Sequence, residues 1–330
     1  MIYGLLRWIT GIALHWFYSD LRINGLERIP LKDPIILAAS HHNALVDCLV
    51  VGWLVPRKIT ITAKATLREN RFVAALFSVM GVVSLRRTSD ELKHAREGMV
   101  DRGRNLQAFD DILKVLEQCG AVLIFPEGKS HSEPQLAPLK TGAARIALAA
   151  HDVKHIPGVQ IVPLGINFEN KGAPGSSVVA EVGDILEMDR EGSPEVERLT
   201  AELERRLSIV SLKPPLLRDS SGVHSARKRN TVKAILINGA AAWGELTHRD
   251  VIRVAREIAL RKSHGPDEPA MLTILYGLFL ILASYAIQVS VLWVFIGFWW
   301  AVGYLITLPI GAYWAAFKDH PTAVRLPLAA

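Results

Sequence analysis

The chain has 330 residues, half of them hydrophobic, a formal net charge of +6 and only two cysteines. That length admits one large α/β domain with additions. Two cysteines exclude a disulfide framework and suit a reducing compartment.

Leu5, Ile9, Ile12 and Trp16 recur at helical spacing in the first segment. Arg7 and His15 interrupt it and no small-residue cleavage site follows, which argues against a cleaved signal peptide. Residues 1–20 are therefore expected to form a retained amphipathic helix that lies in a membrane interface or packs on the domain. Short apolar runs follow at 34–40, 58–64, 82–85, 121–125, 159–168 and 177–183, with helical stretches such as 105–120 between many of them. Strands alternating with helices predict an α/β fold, a mixed sheet flanked by helices, over residues 21–215.

Pro214 and Pro215 close that region. Residues 216–268 read as a basic linker followed by an amphipathic helix, with Thr247 as its N-cap and Val251, Val254, Ile258 and Leu260 as its apolar stripe. The basic side of this helix suits anionic lipid headgroups, whereas no nucleic-acid reader motif accompanies it. Residues 270–317 contain no Asp, Glu, Lys or Arg. About 20 apolar residues span a bilayer as a helix, so residues 269–317 predict a transmembrane hairpin, with Ile287 to Ser290 as its turn. Basic residues on both sides place the two ends, and with them the active domain, on the cytoplasmic face. Residues 318–330 form a tail.

Chemistry-bearing residues gather where strands end. The apolar run "ILAAS" leads into His41, His42 and, further on, Asp47; "AVLIF" leads into Pro126, Glu127 and Gly128; "GVVSL" leads into Arg86 and Arg87. Open α/β sheets place ligand sites at the carboxyl ends of strands. A neutral histidine accepts a proton near pH 7, and a nearby carboxylate fixes its tautomer and stabilises the imidazolium. Arginines and Lys140 suit an anionic substrate. There is no G-x-S-x-G elbow, no H-E-x-x-H and no Walker loop, which points to direct attack by a substrate hydroxyl. Cys48 is expected to be a buried apolar residue. His94, His151, His155, His224, His248 and His264 read as surface positions without metal-ligand spacing.

"HHNALVD" resembles the H-x4-D box of the glycerolipid acyltransferases, with His42 and Asp47 as its ends. "GVVSLRR" is similar to their second block, with Arg87 at the phosphate-contacting position and Arg86 beside it. "FPEGKSH" resembles the third block, with His131 where a Ser is commonest, and "IVPLGI" the fourth, with Pro163. Lys64 stands where the family often has a lysine ahead of the second block. The resemblance implies that His42 is the general base and Asp47 its orienter, and that Arg87, helped by Lys140, holds the acceptor phosphate, with Arg86 and Lys64 as further substrate-binding candidates. It further implies that Glu127 and Gly128 shape the acceptor site and that Glu127 binds glycerol hydroxyls. The implied reaction moves a fatty acyl group from an acyl-CoA or acyl carrier protein thioester to glycerol-3-phosphate or 1-acyl-glycerol-3-phosphate, with no metal, no cofactor, no nucleic acid and no covalent intermediate. The implied partners are the thioester donor, the glycerol-phosphate-type acceptor and membrane lipids. Two other readings remain open at this level: an acyltransferase for another lysophospholipid or amphiphilic alcohol, and a non-catalytic lipid-binding protein on the same scaffold.

Overall fold

A computed structural model describes residues 2–64, 83–85, 102–188 (except 132, 134 and 174), 195–211, 231–263 and 268–317. Its helices are α1 (Ile2–Phe17), α2 (Ala44–Leu54), α3 (Arg102–Glu117), α4 (Gly142–Leu148, extended by a π-turn over Ala149–Val153), α5 (Val196–Ser211), α6 (Thr231–Lys262), α7 (Pro269–Phe295) and α8 (Phe298–Phe317). Its strands are β1 (Asp20–Asn24), β2 (Ile35–Ala39), β3 (Ile59–Lys64), β4 (Val83–Leu85), β5 (Ala121–Ile124), β6 (Gln160–Phe168), β7 (Ser177–Val182) and β8 (Leu186–Glu187).

The sheet runs β1-β7-β6-β2-β5-β3-β4, with β8 on β6. The pairs from β6 through β2, β5 and β3 to β4 are parallel, whereas β7 and β8 lie antiparallel to β6. The mixed α/β sheet expected from the alternating pattern is what the chain forms. The register sets Ala38 of β2 beside Ile124 of β5, so these two strands release the chain at the same edge.

Period-2 alternation divides the buried strand residues between two cores. Ile35, Leu37 and Ala39 of β2 and Ala121 and Leu123 of β5 face one core, which includes Leu14 and Phe17 of α1, Val46 and Val50 of α2, Ala270 of α7 and Ala316 of α8. Ile36, Ala38, Val122 and Ile124 face the other, with Ile112 and Leu116 of α3, Ala143 and Ile146 of α4, and Leu199 and Leu203 of α5. Strands covered on both sides need no polar alternation, which explains the uninterrupted apolar runs.

Three expectations change in the C-terminal half. The turn expected at Ile287 to Ser290 lies instead at Ile296 and Gly297, where Gly297 takes φ 115°. Gln288 stays inside α7 because its amide bonds Ser284 Oγ at 2.7 Å and its carbonyl accepts from Tyr304 at 2.5 Å, so the polar break is satisfied within the hairpin. Thr247 does not cap a helix: α6 begins at Thr231, and the Thr247 hydroxyl bonds the Trp243 carbonyl at 2.9 Å. His248 is buried rather than on the surface, with Nε2 2.6 Å from the Tyr285 hydroxyl and Nδ1 2.9 Å from the Gly244 carbonyl. Among the described residues, only α7 is long and apolar enough to cross a membrane.

Candidate active site

The loop leaving β2 and the loop leaving β5 meet at the carboxyl edge of the sheet. Between β2 and α2 the backbone turns sharply: Ala44 takes φ 47°, a left-handed conformation uncommon for a residue with a Cβ, and its N–H bonds Ser130 Oγ at 3.0 Å. Asp47 lies in the first turn of α2, fully buried, where the helix dipole favours a negative charge. Its Oδ2 accepts from His41 Nδ1 at 2.9 Å and from the Asn43 N–H at 2.8 Å.

The partner of Asp47 is thus His41, six positions away, and not His42. The His41 ring stacks on Phe125 at 4.1 Å and 21°. With Nδ1–H given to the carboxylate, Nε2 carries the lone pair, the tautomer that a general base requires. His42 turns the other way. Both of its ring nitrogens are buried without a hydrogen-bond partner among the described residues, and its ring meets His131 edge-on at 4.8 Å. Burial holds the His42 imidazole below its ordinary range, against the opposing pull of the Glu127 and Asp47 charges. The H-x4-D spacing singles out His42; the turn at Ala44 and its bond to Ser130, which accompany the His41–Asp47 contact, are not visible in the sequence.

Glu127 is expected to meet substrate hydroxyls, but the structure places it under the loop. Its side chain is 0% exposed and its oxygens are taken by protein donors. Oε1 accepts from the His41 backbone N–H at 2.7 Å, and Oε2 accepts from the Ala137 N–H at 2.8 Å and pairs with His131 Nε2. The His131 N–H closes the loop onto the His41 carbonyl at 3.2 Å. His131 was legible only as a departure at its position; its tie to Glu127 depends on the turn at Gly128.

Gly128 takes φ 76°, and a Cβ there would come within 2.7 Å of the Lys140 side chain. Lys140 therefore lies across this turn, with an exposed head. Lys64 is the last residue of β3, paired in register with Leu85 of β4. Arg86 and Arg87 lie outside the described residues, directly after Leu85 in sequence. Cys48 is buried and burial pushes its thiol up, which keeps it protonated and inert.

Sequence reasoning missed a second set of supports. The Asn43 amide bonds the Tyr18 hydroxyl at 2.9 Å and the Lys171 carbonyl at 3.2 Å, and Tyr18 bonds the same carbonyl at 2.9 Å. The Lys171 ammonium donates to the His42 carbonyl at 2.9 Å. The histidine loop is thereby tied to α1, to the β6–β7 connection and to the loop after β5.

Residues 20–167 match the sequence model of the family described as Acyltransferase. The chain is 24% identical over 272 residues to glycerol-3-phosphate O-acyltransferase 1 of Saccharomyces cerevisiae, covering 58% of this chain and 35% of that protein. It is 29% identical over 154 residues to the 1-acyl-sn-glycerol-3-phosphate acyltransferase of the same yeast, covering 43% and 45%. It is 26% identical over 201 residues to the protein of that name from Borreliella burgdorferi, covering 59% and 70%. The chain thus spans little more than a third of the length of the first of these relatives. The crystal structure of the 1-acyl-sn-glycerophosphate acyltransferase PlsC from Thermotoga maritima aligns with 63% of this chain and 76% of its own at 20% identity and a TM-score of 0.47. Over residues 20–167 the chain is thus similar to the acyltransferase family.

Proposed function

We propose that this chain is a membrane-bound O-acyltransferase that moves a fatty acyl group from a thioester to the hydroxyl of glycerol-3-phosphate or 1-acyl-glycerol-3-phosphate, in phospholipid synthesis. The observation that carries the mechanism is the 2.9 Å contact between His41 Nδ1 and Asp47 Oδ2. His41 Nε2 takes the proton of the acceptor hydroxyl as its oxygen attacks the thioester carbonyl. The new C–O ester bond forms, the C–S bond breaks, and the imidazolium returns its proton to the departing thiolate. Asp47 stabilises the imidazolium between these events. No covalent acyl-enzyme is needed, and the buried, protonated Cys48 is unsuited to forming one.

The His41–Asp47 contact favours His41 as the base where the sequence motif points to His42. Arg87, Arg86, Lys64 and Lys140 supply the positive charge for the acceptor phosphate. The donor is acyl-CoA or acyl carrier protein, and the relatives' own names motivate the two acceptors. The charge-free stretch over α7 and α8 motivates membrane attachment, with the catalytic domain on the cytoplasmic face.

The test is an assay of the full chain with acyl-CoA and a panel of acceptors: glycerol-3-phosphate, 1-acyl-glycerol-3-phosphate and other lysophospholipids. Thiol release that depends on one of the first two supports the reading. Release only with another lysophospholipid, or with none of the panel, overturns it.

A further inference from the structure

Helix α6 runs beside the hairpin, and contacts along its length give its direction. Ala255 packs beside Gly277, His248 bonds Tyr285, and Trp243 meets Tyr304 and bonds Thr307 at 3.3 Å. As α6 numbering falls, α7 numbering rises, so these two helices are antiparallel. Thr231 lies about 25 Å along α6 from His248, and Phe295 about 15 Å along α7 from Tyr285, at 1.5 Å per residue. The first turn of α6 therefore reaches at least the level of the hairpin turn at Ile296 and Gly297.

The chain enters α6 from the catalytic domain, because α5 ends at Ser211 with Val210 buried and its carbonyl bonded to Asn167 of β6. The connection, residues 212–230, carries Lys213, Arg218, Asp219, Arg227, Lys228 and Arg229 with two adjacent prolines. A segment with these charges and prolines does not cross hydrocarbon, where each backbone polar group and charge must be satisfied internally. The start of α6 is thus on the catalytic domain's side of any membrane, and the hairpin turn lies level with it.

The base of the hairpin belongs to the domain as well. Ala270, Met271, Ile274, Tyr313 and Ala316 pack in its core, and Ala312 accepts from Trp16 of α1. The two sides of the three-helix bundle also differ. Phe279, Leu282, Phe295, Trp299 and Trp300 are exposed on α7 and α8. Glu245, Arg249, Asp250, Arg253, Arg256 and Glu257 are exposed on the C-terminal part of α6, whereas Ile235 and Leu236 are exposed nearer its start.

We infer that α6, α7 and α8 form a one-sided membrane foot: the hairpin enters only the near leaflet, its aromatic turn stays on the catalytic domain's side, and the charged part of α6, residues 245–257, rides at headgroup depth. Its occupant is the near leaflet of a lipid bilayer. The inference rests on the membrane attachment proposed above, and replaces a two-pass crossing by a monotopic one. The apolar α7–α8 face has lipid to cover it, while the α6 charges keep water and headgroups.

The test uses the full chain in sealed vesicles prepared from expressing membranes. Cys119 is exposed in the catalytic domain and reports the domain's side, and Cys48 is buried. Glu245→Cys and Asn230→Cys, each in a Cys119→Ser background, are treated with a membrane-impermeant maleimide and compared with the native chain. Labelling of both before detergent, in the vesicle orientation where Cys119 labels, supports the inference. Labelling only after detergent in that orientation overturns it. A bimane on Ile296→Cys adds depth: strongest quenching by nitroxides near the headgroup supports the inference, and strongest quenching at the bilayer centre overturns it. A chain that fails to float with vesicles overturns this inference and membrane attachment together, whereas labelling from the far side overturns the one-sided foot alone.

Discussion

Asp47 Oδ2 lies 2.9 Å from Nδ1 of His41, while both nitrogens of the adjacent His42 face no hydrogen-bonding partner among the described residues. The two rings differ by one residue in sequence and by their whole hydrogen-bond environment in space. The expected consequence is an asymmetry between two single variants. His41→Ala lowers kcat/KM for the acceptor by about 10²- to 10⁴-fold, the contribution of a positioned base. His42→Ala keeps activity within about tenfold of wild type, an effect of about 1.4 kcal/mol or less. Thiol release from acyl-CoA by the two purified variants decides it, and the reverse ranking returns the base to His42.

How much of this was legible follows from which forces act locally. The sheet was, because continuous apolar runs on both sides of a parallel strand are a composition signal that "PIILAAS" and "AVLIF" carry in full. The meeting of the His-Asp loop with Glu127 was legible too, since strand ends in an α/β sheet share an edge. The choice between His41 and His42 was not: it depends on the left-handed backbone at Ala44 and a bond to Ser130, 86 positions away. The break at Gln288 misled for a related reason. A polar residue predicts a turn when it has only water for a partner, but Ser284 and Tyr304 supply partners inside the hairpin.

Glu127 supports the His41 loop from beneath, its oxygens taken by protein donors. Its carboxylate takes the backbone N–H of His41 and that of Ala137, and pairs with His131. Glu127→Ala leaves those buried donors unpaired, at about 1–3 kcal/mol for each. The expected result is a fall in unfolding temperature and a fall in kcat with little change in the KM for the acceptor. Glu127→Gln keeps one acceptor oxygen, replaces the other with an NH2 donor, and recovers part of the stability. A rise confined to the acceptor KM, with stability unchanged, shows instead that the carboxylate binds substrate.

His42 makes stability depend on pH in a stated direction. Its folded-state pKa is lowered by burial from an ordinary value of about 6.5. The unfolded chain therefore binds the proton more readily, and stability rises with pH through this window. The contribution is complete above about 6.5 and is lost as pH falls through the lowered folded value. His42→Leu removes both the titration and the two unpartnered nitrogens. Its unfolding midpoint is expected to decline less than that of wild type between about pH 7 and pH 5, and to be no lower than wild type at the acid end. Parallel pH profiles for the two proteins contradict this.

The crossing of α6 and α8 depends on two glycines that meet without side chains. A Cβ on Gly244 would fall 2.0 Å from the Gly311 carbonyl oxygen and 2.9 Å from the Ala315 Cβ. The first obstacle is backbone, so the helices must separate. Gly239, on the same helix, has nothing within 4 Å of its Cβ position. Gly→Ala within a helix gains about 1 kcal/mol of intrinsic propensity, and overpacking costs about 1–3 kcal/mol. The two substitutions are therefore expected to have opposite signs: Gly239→Ala raises the unfolding temperature of the full chain slightly, and Gly244→Ala lowers it. The second variant also exposes the α7–α8 hairpin to limited proteolysis, because α6 no longer seats against it. If both variants are stabilised alike, α6 and α8 do not cross at Gly244, and the register that sets the hairpin turn beside the start of α6 fails with it.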